Sequence, residues 1–193
     1  MSNKTYHHGD LRTAMIEKGL EAISEGGVKN LSLRKVASAC GVSHAAPYSH
    51  FKNKKELLGA IESHITAQFT HMLKEAAKGK SNTPEALLEI GCAYVLFFIK
   101  NPQYFEFIFD HSEISVGGGH VYEPYDFFKD FMEKTLDKLG HSKEDYSKTL
   151  IAQWAMMQGL VHILTRTTIK NGPPLEEIVK SLLSKNYMIF PQG

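Results

Sequence analysis

Residues 31–58, LSLRKVASACGVSHAAPYSHFKNKKELL, constrain the fold of this chain more than any other segment. Apolar residues at helical spacing predict a first short helix: Leu33, Val36, Ala37 and Cys40. Gly41 follows it, and glycine is favoured after a helix because it adopts a positive φ without strain. Ser43 is then suited to cap a second short helix with the sequence HAAPYSHF. Two such helices around a glycine turn predict a helix-turn-helix, whose second helix enters the major groove of DNA.

Three patterns in this segment agree in their spacing: LSxRxVA, GVS and YxHFxNKxxLL. Together, over residues 10–60, they resemble the DNA-binding domain of the TetR/AcrR transcriptional regulators, and residues 6–12, YHHGDLR, resemble a subgroup of that family. The resemblance implies a homodimeric regulator with a helical ligand-binding domain after the helix-turn-helix. We therefore predict two domains, a DNA-binding domain over 1–56 and a ligand-binding and dimerisation domain over 57–193.

The resemblance implies contacts with double-stranded operator DNA for nine residues: Ser32, Arg34, Ser43, His44, Ala45, Tyr48, Ser49, His50 and Lys54. Arg34 matches a position that can reach guanine, whose O6 and N7 the arginine fork pairs together. Tyr48 and His50 match positions that grip phosphates. Ser32 and Lys54 stand at predicted helix starts, where backbone N–H groups and side chains hold phosphate.

Two further features of the second short helix affect how it would read DNA. Ala45 and Ala46 offer methyl groups for contact with thymine, although Ala46 fits the protein core equally well. Pro47 stands where relatives of this type usually have leucine. Because proline has no N–H, it cannot donate the first intrahelical bond back to Ser43. We therefore predict a distorted first turn in this helix.

The bulk composition is that of an ordinary globular protein, with 193 residues, 42% hydrophobic and 22% charged. Residues 1–60 hold nine basic and five acidic side chains, a net charge of +4, whereas residues 61–193 hold thirteen and sixteen, a net charge of −3. A basic N-terminal segment fits a surface that faces DNA. No signal peptide opens the chain, and the apolar run at residues 94–99 is too short to cross a bilayer, so we expect a cytoplasmic protein without membrane contact.

The remaining periodicity predicts an all-α chain of about nine helices, with no strand pattern. Besides the two short helices, the predicted spans are 11–25, 54–80, 84–100, 104–109, 122–139, 143–170 and 174–186. Asp10 is predicted to cap the first of these, and the sequence GG at 26–27 to end it. The stripe Leu58, Ile61, Ile65, Phe69 and Met72 is the expected inward face of the 54–80 helix. Residues 111–120 are predicted to form a loop.

The C-terminal half is rich in aromatic residues, which form either a core or, as the family resemblance implies, a pocket for a small, largely apolar effector. The pocket hypothesis names eight residues: Tyr94, Phe98, Phe105, Phe109, Tyr122, Trp154, Met157 and Gln158. The helix predicted over 143–170 is apolar on nearly every side, and the last helix carries a second apolar stripe. In TetR relatives these last two helices form the dimer interface. The pattern WxxxQG at 154–159 also resembles the WxxxHG signature of one C-terminal class of the family.

We therefore predict a sequence-specific transcriptional regulator, a repressor that an effector releases from its operator. An architectural DNA-binding protein without an effector is the first alternative, and an enzyme built on the helical body is the second. No catalytic constellation, cofactor motif or metal-ligand spacing is present in the sequence. His111 and His120 flank a glycine-rich segment without the fixed spacing of a metal site, so no metal and no cofactor are predicted.

Overall fold

A computed structural model describes residues 8–111, 122–167 and 172–184. Within these residues the chain is all-α, as predicted, with eight α-helices and one short 3₁₀ helix. The α-helices are α1 (His8–Asn30), α2 (Leu33–Ala39), α3 (Lys54–Ala77), α4 (Pro84–Lys100), α5 (Pro102–His111), α6 (Glu123–Leu139), α7 (Lys143–Leu164) and α8 (Leu175–Leu182). The 3₁₀ helix is Ala46–Ser49. Most of the predicted loop at 111–120, and the predicted helical residues 168–170, 185 and 186, lie outside the described residues.

Two compact units divide the chain. The first, which we call the head, is Met1–Ile65 together with Gln103–Glu113. The second, which we call the body, is Thr66–Pro102 together with Ile114–Gly193. Because the division falls after Ile65, α3 contributes residues to both units. The functional division predicted between residues 56 and 57 stays a prediction.

The apolar faces of α1 and α3 form much of the core of the head. Ile16, Leu20 and Ile23 are buried on α1, as predicted. On α3 the predicted stripe was right at Ile61, Ile65 and Phe69 and wrong at its two ends. The fully buried residues are Leu57, Ile61, Ile65, Phe69 and Leu73, whereas Leu58 and Met72 are only half-buried. Leu57 and Leu58, like Met72 and Leu73, are adjacent apolar residues at the ends of the stripe, so helical spacing of three or four residues fits either member of each pair.

Capping side chains explain where several helices begin. The Oδ1 of Asn53 accepts the Glu56 N–H at 3.0 Å, and the Glu56 carboxylate accepts the Lys52 N–H at 2.7 Å. These reciprocal bonds resemble a capping box in which Lys52, rather than the cap residue Asn53, is the second donor. The predicted cap of α1 at Asp10 was wrong, because helical structure begins at His8. The predicted end at residues 26–27 coincides with a break at Gly27, where φ is 72°, and a further helical stretch reaches Asn30.

In the body, α4 lies centrally and contacts α6, α7 and α8. The helix predicted to be apolar on nearly every side is α7, and within one chain only part of its surface is buried. The buried face of α7 comprises Tyr146, Thr149, Leu150, Gln153, Met157 and Val161. Its opposite face leaves Ile151 and Ile163 62% and 58% exposed. Over the described ranges, every helix is too short or too polar to span a membrane.

Candidate nucleic-acid interface

The turn after α2 fixes the geometry of the candidate interface. Ser32 caps the start of α2, where its Oγ accepts the Lys35 N–H at 3.2 Å. At the other end Gly41 has φ 68°, as its position predicted. The Gly41 N–H donates to Ser38 O at 3.1 Å and the Val42 N–H donates to Ala37 O at 3.0 Å. This pair of bonds is a Schellman motif, which ends α2 and turns the chain sharply into residues 43–50, the recognition segment.

The recognition segment is not the α-helix that the sequence predicted. It contains the 3₁₀ helix Ala46–Ser49, in which the Ser43 carbonyl accepts the Ala46 N–H at 3.0 Å. An α-helical bond to that carbonyl would come from residue 47, and Pro47 has no N–H to donate. Pro47 is buried, so its ring also takes the apolar position of this segment. The predicted cap by the Ser43 hydroxyl is also absent. The residue at the cap position of the 3₁₀ helix is Ala45, and no side chain caps this helix.

Six of the nine predicted DNA-contacting side chains are exposed on the head. They are Arg34 on α2 and Ser43, His44, Ala45, Tyr48 and Ser49 in the recognition segment. Tyr48 is the most exposed large hydrophobic side chain of this segment, with 55% of its surface accessible. The Ser49 hydroxyl donates to Ala46 O at 2.8 Å, and its oxygen can still accept a hydrogen bond from another donor. The exposed set therefore lies on α2 and the segment that follows it.

The other predicted contacts are turned partly toward the protein. Ser32 is half-buried at its cap. The Nε2 atom of His50 is buried, and the ring helps to line a cleft of the head beside Arg12 and His64. Lys54 is half-buried and donates from Nζ to Val28 O at 2.6 Å and to Lys29 O at 3.3 Å. Those two carbonyls belong to the last residues of α1, so Lys54 has a structural role whether or not it also meets phosphate.

Ser38 is a residue of this surface that the sequence reasoning missed. Its Oγ lies 3.2 Å from Nε2 of His44 and also donates to Arg34 O at 3.1 Å. Six residues separate Ser38 from His44, and the Schellman turn brings them together. A serine and a histidine six residues apart do not by themselves predict a hydrogen bond between their side chains. Ser38 and His44 are both exposed, so the contact lies at the surface of the candidate interface.

The eight candidate pocket residues do not form one group in the structure. Tyr94, Phe98 and Met157 are buried in the body, and Trp154, Gln158 and Tyr122 are half-buried there. Phe105 and Phe109 contact each other at 4.7 Å between ring centroids, but they belong to the head. Tyr125 and Phe128, which were not in the predicted set, place their rings 5.2 and 6.0 Å from that of Trp154.

Tyr94 is the most unusual side chain of the body. It is fully buried, with ring centroids at 5.1 Å from Phe69, 5.3 Å from Phe98 and 5.3 Å from Trp154. Its hydroxyl has no hydrogen-bond partner among the described residues. Burial, with a smaller contribution from the nearby Tyr122, raises the pKa of this hydroxyl well above its ordinary value. The group therefore stays protonated and is available as a hydrogen-bond donor.

The part of the chain that the structure describes holds no cluster of three or more His, Cys, Asp or Glu side chains suited to a metal ion. A sequence profile of bacterial regulatory proteins of the tetR family matches residues 15–61, which include α2, the recognition segment and the start of α3. The class C tetracycline repressor protein of Escherichia coli is 41% identical over 61 residues, which is 31% of this chain and 28% of that protein. The N-terminal part of the chain is therefore similar to regulators of the tetR family.

Other comparisons extend this similarity. The fatty acid metabolism regulator protein of Bacillus subtilis (strain 168) is 30% identical over 73 residues, 38% of each chain. A TetR-like transcriptional regulator from Rhodococcus sp. RHA1 has the same fold, with a TM-score of 0.72 over 92% of this chain and 93% of its own, at 17% identity. The matched stretches span about a third of the two curated relatives. The family profile and both curated relatives bear the names of regulators or repressors.

Proposed function

We propose that this protein is a transcriptional repressor that binds operator DNA through α2 and the recognition segment. The observation that carries the proposal is the exposed polar surface of the head, in which Arg34, His44 and Tyr48 stand on either side of the Schellman turn. Arg34 is suited to guanine because its guanidinium donates to O6 and N7 together. Tyr48 is suited to a phosphate oxygen, which positions the protein on the duplex without reading its sequence.

The 3₁₀ recognition segment changes how this surface would read DNA. Three residues per turn and a rise of about 2.0 Å make such a segment narrower and longer per residue than an α-helix. Side chains three positions apart then point the same way, so Ala45 and Tyr48 share one direction. We therefore expect this segment to make fewer base contacts than an α-helix would. Arg34 of α2 should account for a larger fraction of the base contacts.

We propose that two copies associate through α7 and α8. On α7, Ile151 and Ile163 are more than half exposed, and Leu182 at the end of α8 is 36% exposed. Apolar side chains of this size, exposed on two consecutive helices of the chain, favour burial against a second copy. A twofold dimer presents two recognition segments about one helical turn of DNA apart, so that both reach the same side of the duplex.

We propose that a small, largely apolar effector binds the body and lowers the affinity for operator DNA. The buried Tyr94 hydroxyl supports this, because a buried donor without a partner costs about 1–3 kcal/mol and a ligand acceptor would recover part of it. The aromatic rings around it supply apolar walls. Because α3 contributes Phe69 to these walls and begins beside the recognition segment, it is the proposed lever between effector and DNA.

Fluorescence anisotropy on operators selected from random duplexes tests the DNA-binding proposal. We expect wild-type binding to weaken steeply with salt, since phosphate contacts release counterions. Arg34→Ala should cost roughly 1–3 kcal/mol on the selected operator and relax the preference at one base pair per half-site. Lys134→Ala, which removes an exposed lysine of α6, is the control and should bind as the wild type does. Equal losses for Arg34→Ala on operator and random DNA would contradict base reading by Arg34.

Tyr94→Phe tests the effector proposal, because it removes only the hydroxyl oxygen. The free protein should be as stable as the wild type or more stable, since no described hydrogen bond is lost. Native mass spectrometry of the purified wild-type protein identifies a small molecule that it retains. This ligand should bind the Tyr94→Phe variant about 2- to 12-fold less tightly than the wild type. Adding operator DNA should lower the affinity for that ligand by the same factor by which the ligand lowers the affinity for operator DNA. A ligand with one affinity in both conditions is not an effector.

A further inference from the structure

His44 is joined to α2 by a chain of two hydrogen bonds. Its Nε2 lies 3.2 Å from Ser38 Oγ, and that oxygen lies 3.1 Å from the carbonyl oxygen of Arg34, one helical turn earlier. The main chain between these residues is held by the Schellman bonds from Gly41 and Val42. A side chain of the recognition segment is therefore attached to the helix that precedes it.

The chemistry of the chain fixes the direction of its protons. A carbonyl oxygen can only accept, so the single hydroxyl proton of Ser38 is directed to Arg34 O. The Ser38 oxygen then has lone pairs left for His44, and only an Nε2–H satisfies that contact. In the neutral ring the proton is then on Nε2, and Nδ1 is an acceptor. Nδ1 has no partner among the described residues, and His44 is exposed.

We propose that Ser38 is a positioning residue that presents Nδ1 of His44 to the major groove as a hydrogen-bond acceptor. The inference rests on the proposed function, in which the recognition segment meets DNA. In the major groove adenine offers its N6 amino group and cytosine its N4 amino group, whereas guanine and thymine offer only acceptors at the corresponding edges. An acceptor at Nδ1 therefore selects adenine or cytosine on the strand that His44 faces and disfavours guanine or thymine there.

Selection from random duplexes at pH 8 tests the specificity with the full-length protein. The wild type should enrich adenine or cytosine at one position of each half-site, and His44→Ala should lose that preference there. Ser38→Ala should reduce the same preference by about 2- to 12-fold, the range of one net hydrogen bond, and leave the other positions unchanged. Ser38→Thr keeps a hydroxyl and should restore the preference. Enrichment of guanine or thymine at the position sensitive to His44→Ala would overturn the proposal.

Ser63→Ala is the matched control for Ser38→Ala. Ser63 is also an exposed helical serine, and its Oγ donates to Gly59 O at 2.9 Å, four residues earlier, as that of Ser38 does to Arg34. The control removes the same kind of bond without touching His44. It should leave the base preference as it is in the wild type. If it reduced that preference as much as Ser38→Ala does, the effect would come from helix stability and the positioning role would be wrong.

A measurement without DNA separates this proposal from the proposed function. Long-range proton–nitrogen correlation spectra of the ¹⁵N-labelled protein assign the ring proton of His44 to Nδ1 or Nε2. We expect a single Nε2–H form whose ring proton exchanges more slowly in the wild type and in Ser38→Thr than in Ser38→Ala. A ring proton on Nδ1, or equal exchange in all three proteins, overturns the role of Ser38 even if the protein binds DNA. The expected spectra without any DNA binding would instead overturn the proposed function.

Discussion

At the residue scale, Lys54 shows how one side chain's hydrogen bonds alter the role that its position predicts. Its resemblance to a phosphate-binding lysine led to a predicted DNA contact, yet Nζ donates to Val28 O and Lys29 O. Bonds from a charged donor contribute about 1.5–3 kcal/mol when buried, and Lys54 is half-buried. We expect Lys54→Ala to lower the free energy of unfolding of the protein by about 1–2 kcal/mol, measured by urea denaturation.

Lys55→Ala is the control for this variant, because Lys55 is an exposed neighbour on the same helix turn. Its effect on stability should stay within about 0.5 kcal/mol. If Lys54 also contacts phosphate, Lys54→Ala should weaken the binding of operator and of random DNA by the same factor. The measurement is made under conditions where the wild type and the variant are both folded. A fully stable Lys54→Ala variant would show that the two carbonyl contacts contribute nothing measurable.

At the element scale, two glycines of the head have equally open surroundings and opposite backbone requirements. A Cβ added at Gly41 or at Gly59 meets nothing within 4 Å, but Gly41 has φ +68° and Gly59 lies inside α3. Gly41→Ala should destabilise the protein by about 1 kcal/mol, because a left-handed conformation is strained for alanine. Gly59→Ala should stabilise it by about 0.5–1 kcal/mol, since alanine loses less entropy in a helix.

Thermal and urea unfolding of these two variants, followed by circular dichroism, measure both effects. Neither substitution changes a side-chain contact, so the opposite signs would arise from the backbone alone. Gly41→Ala should also weaken operator binding, because the Schellman turn directs the recognition segment. Stabilisation by Gly41→Ala would mean that the turn after α2 adopts another conformation in solution.

At the scale of the whole molecule, the exposed apolar face of α7 predicts how two copies assemble. Ile163→Glu places a charge in the proposed dimer interface, where its desolvation should cost 2 kcal/mol or more, about 30-fold in dimer Kd. Leu139→Glu is the control, because Leu139 is 48% exposed at the end of α6 and lies outside the proposed interface. Sedimentation equilibrium measures both dimer constants.

The wild type should sediment as a dimer, and Leu139→Glu should leave the constant within about 2-fold, as surface substitutions usually do. A monomeric wild type would contradict the proposed interface. Equal weakening by both substitutions would place the interface elsewhere. Because two half-sites are read together, Ile163→Glu should also weaken operator binding at protein concentrations near the new dimer constant.

The sequence by itself determined the helical class, most helix starts and the turn of the helix-turn-helix, because these depend on neighbours within a few residues. Apolar spacing identified the faces of α1 and α2, Asn53 and Thr83 cap α3 and α4, and Gly41 supplies the positive φ. Pro47 likewise acts locally, by removing one N–H, so a distorted recognition segment was predictable.

Only the tertiary structure decided which end residues of the α3 stripe are buried, because Leu57 and Leu58 are adjacent leucines that differ only in what packs against them. It also decided the contacts that join distant residues, such as Lys54 with the last carbonyls of α1. The Ser38–His44 contact and the buried, unpartnered Tyr94 hydroxyl belong to the same class. Each depends on the direction of a side chain in the folded molecule, and periodicity along the chain carries no information about that direction.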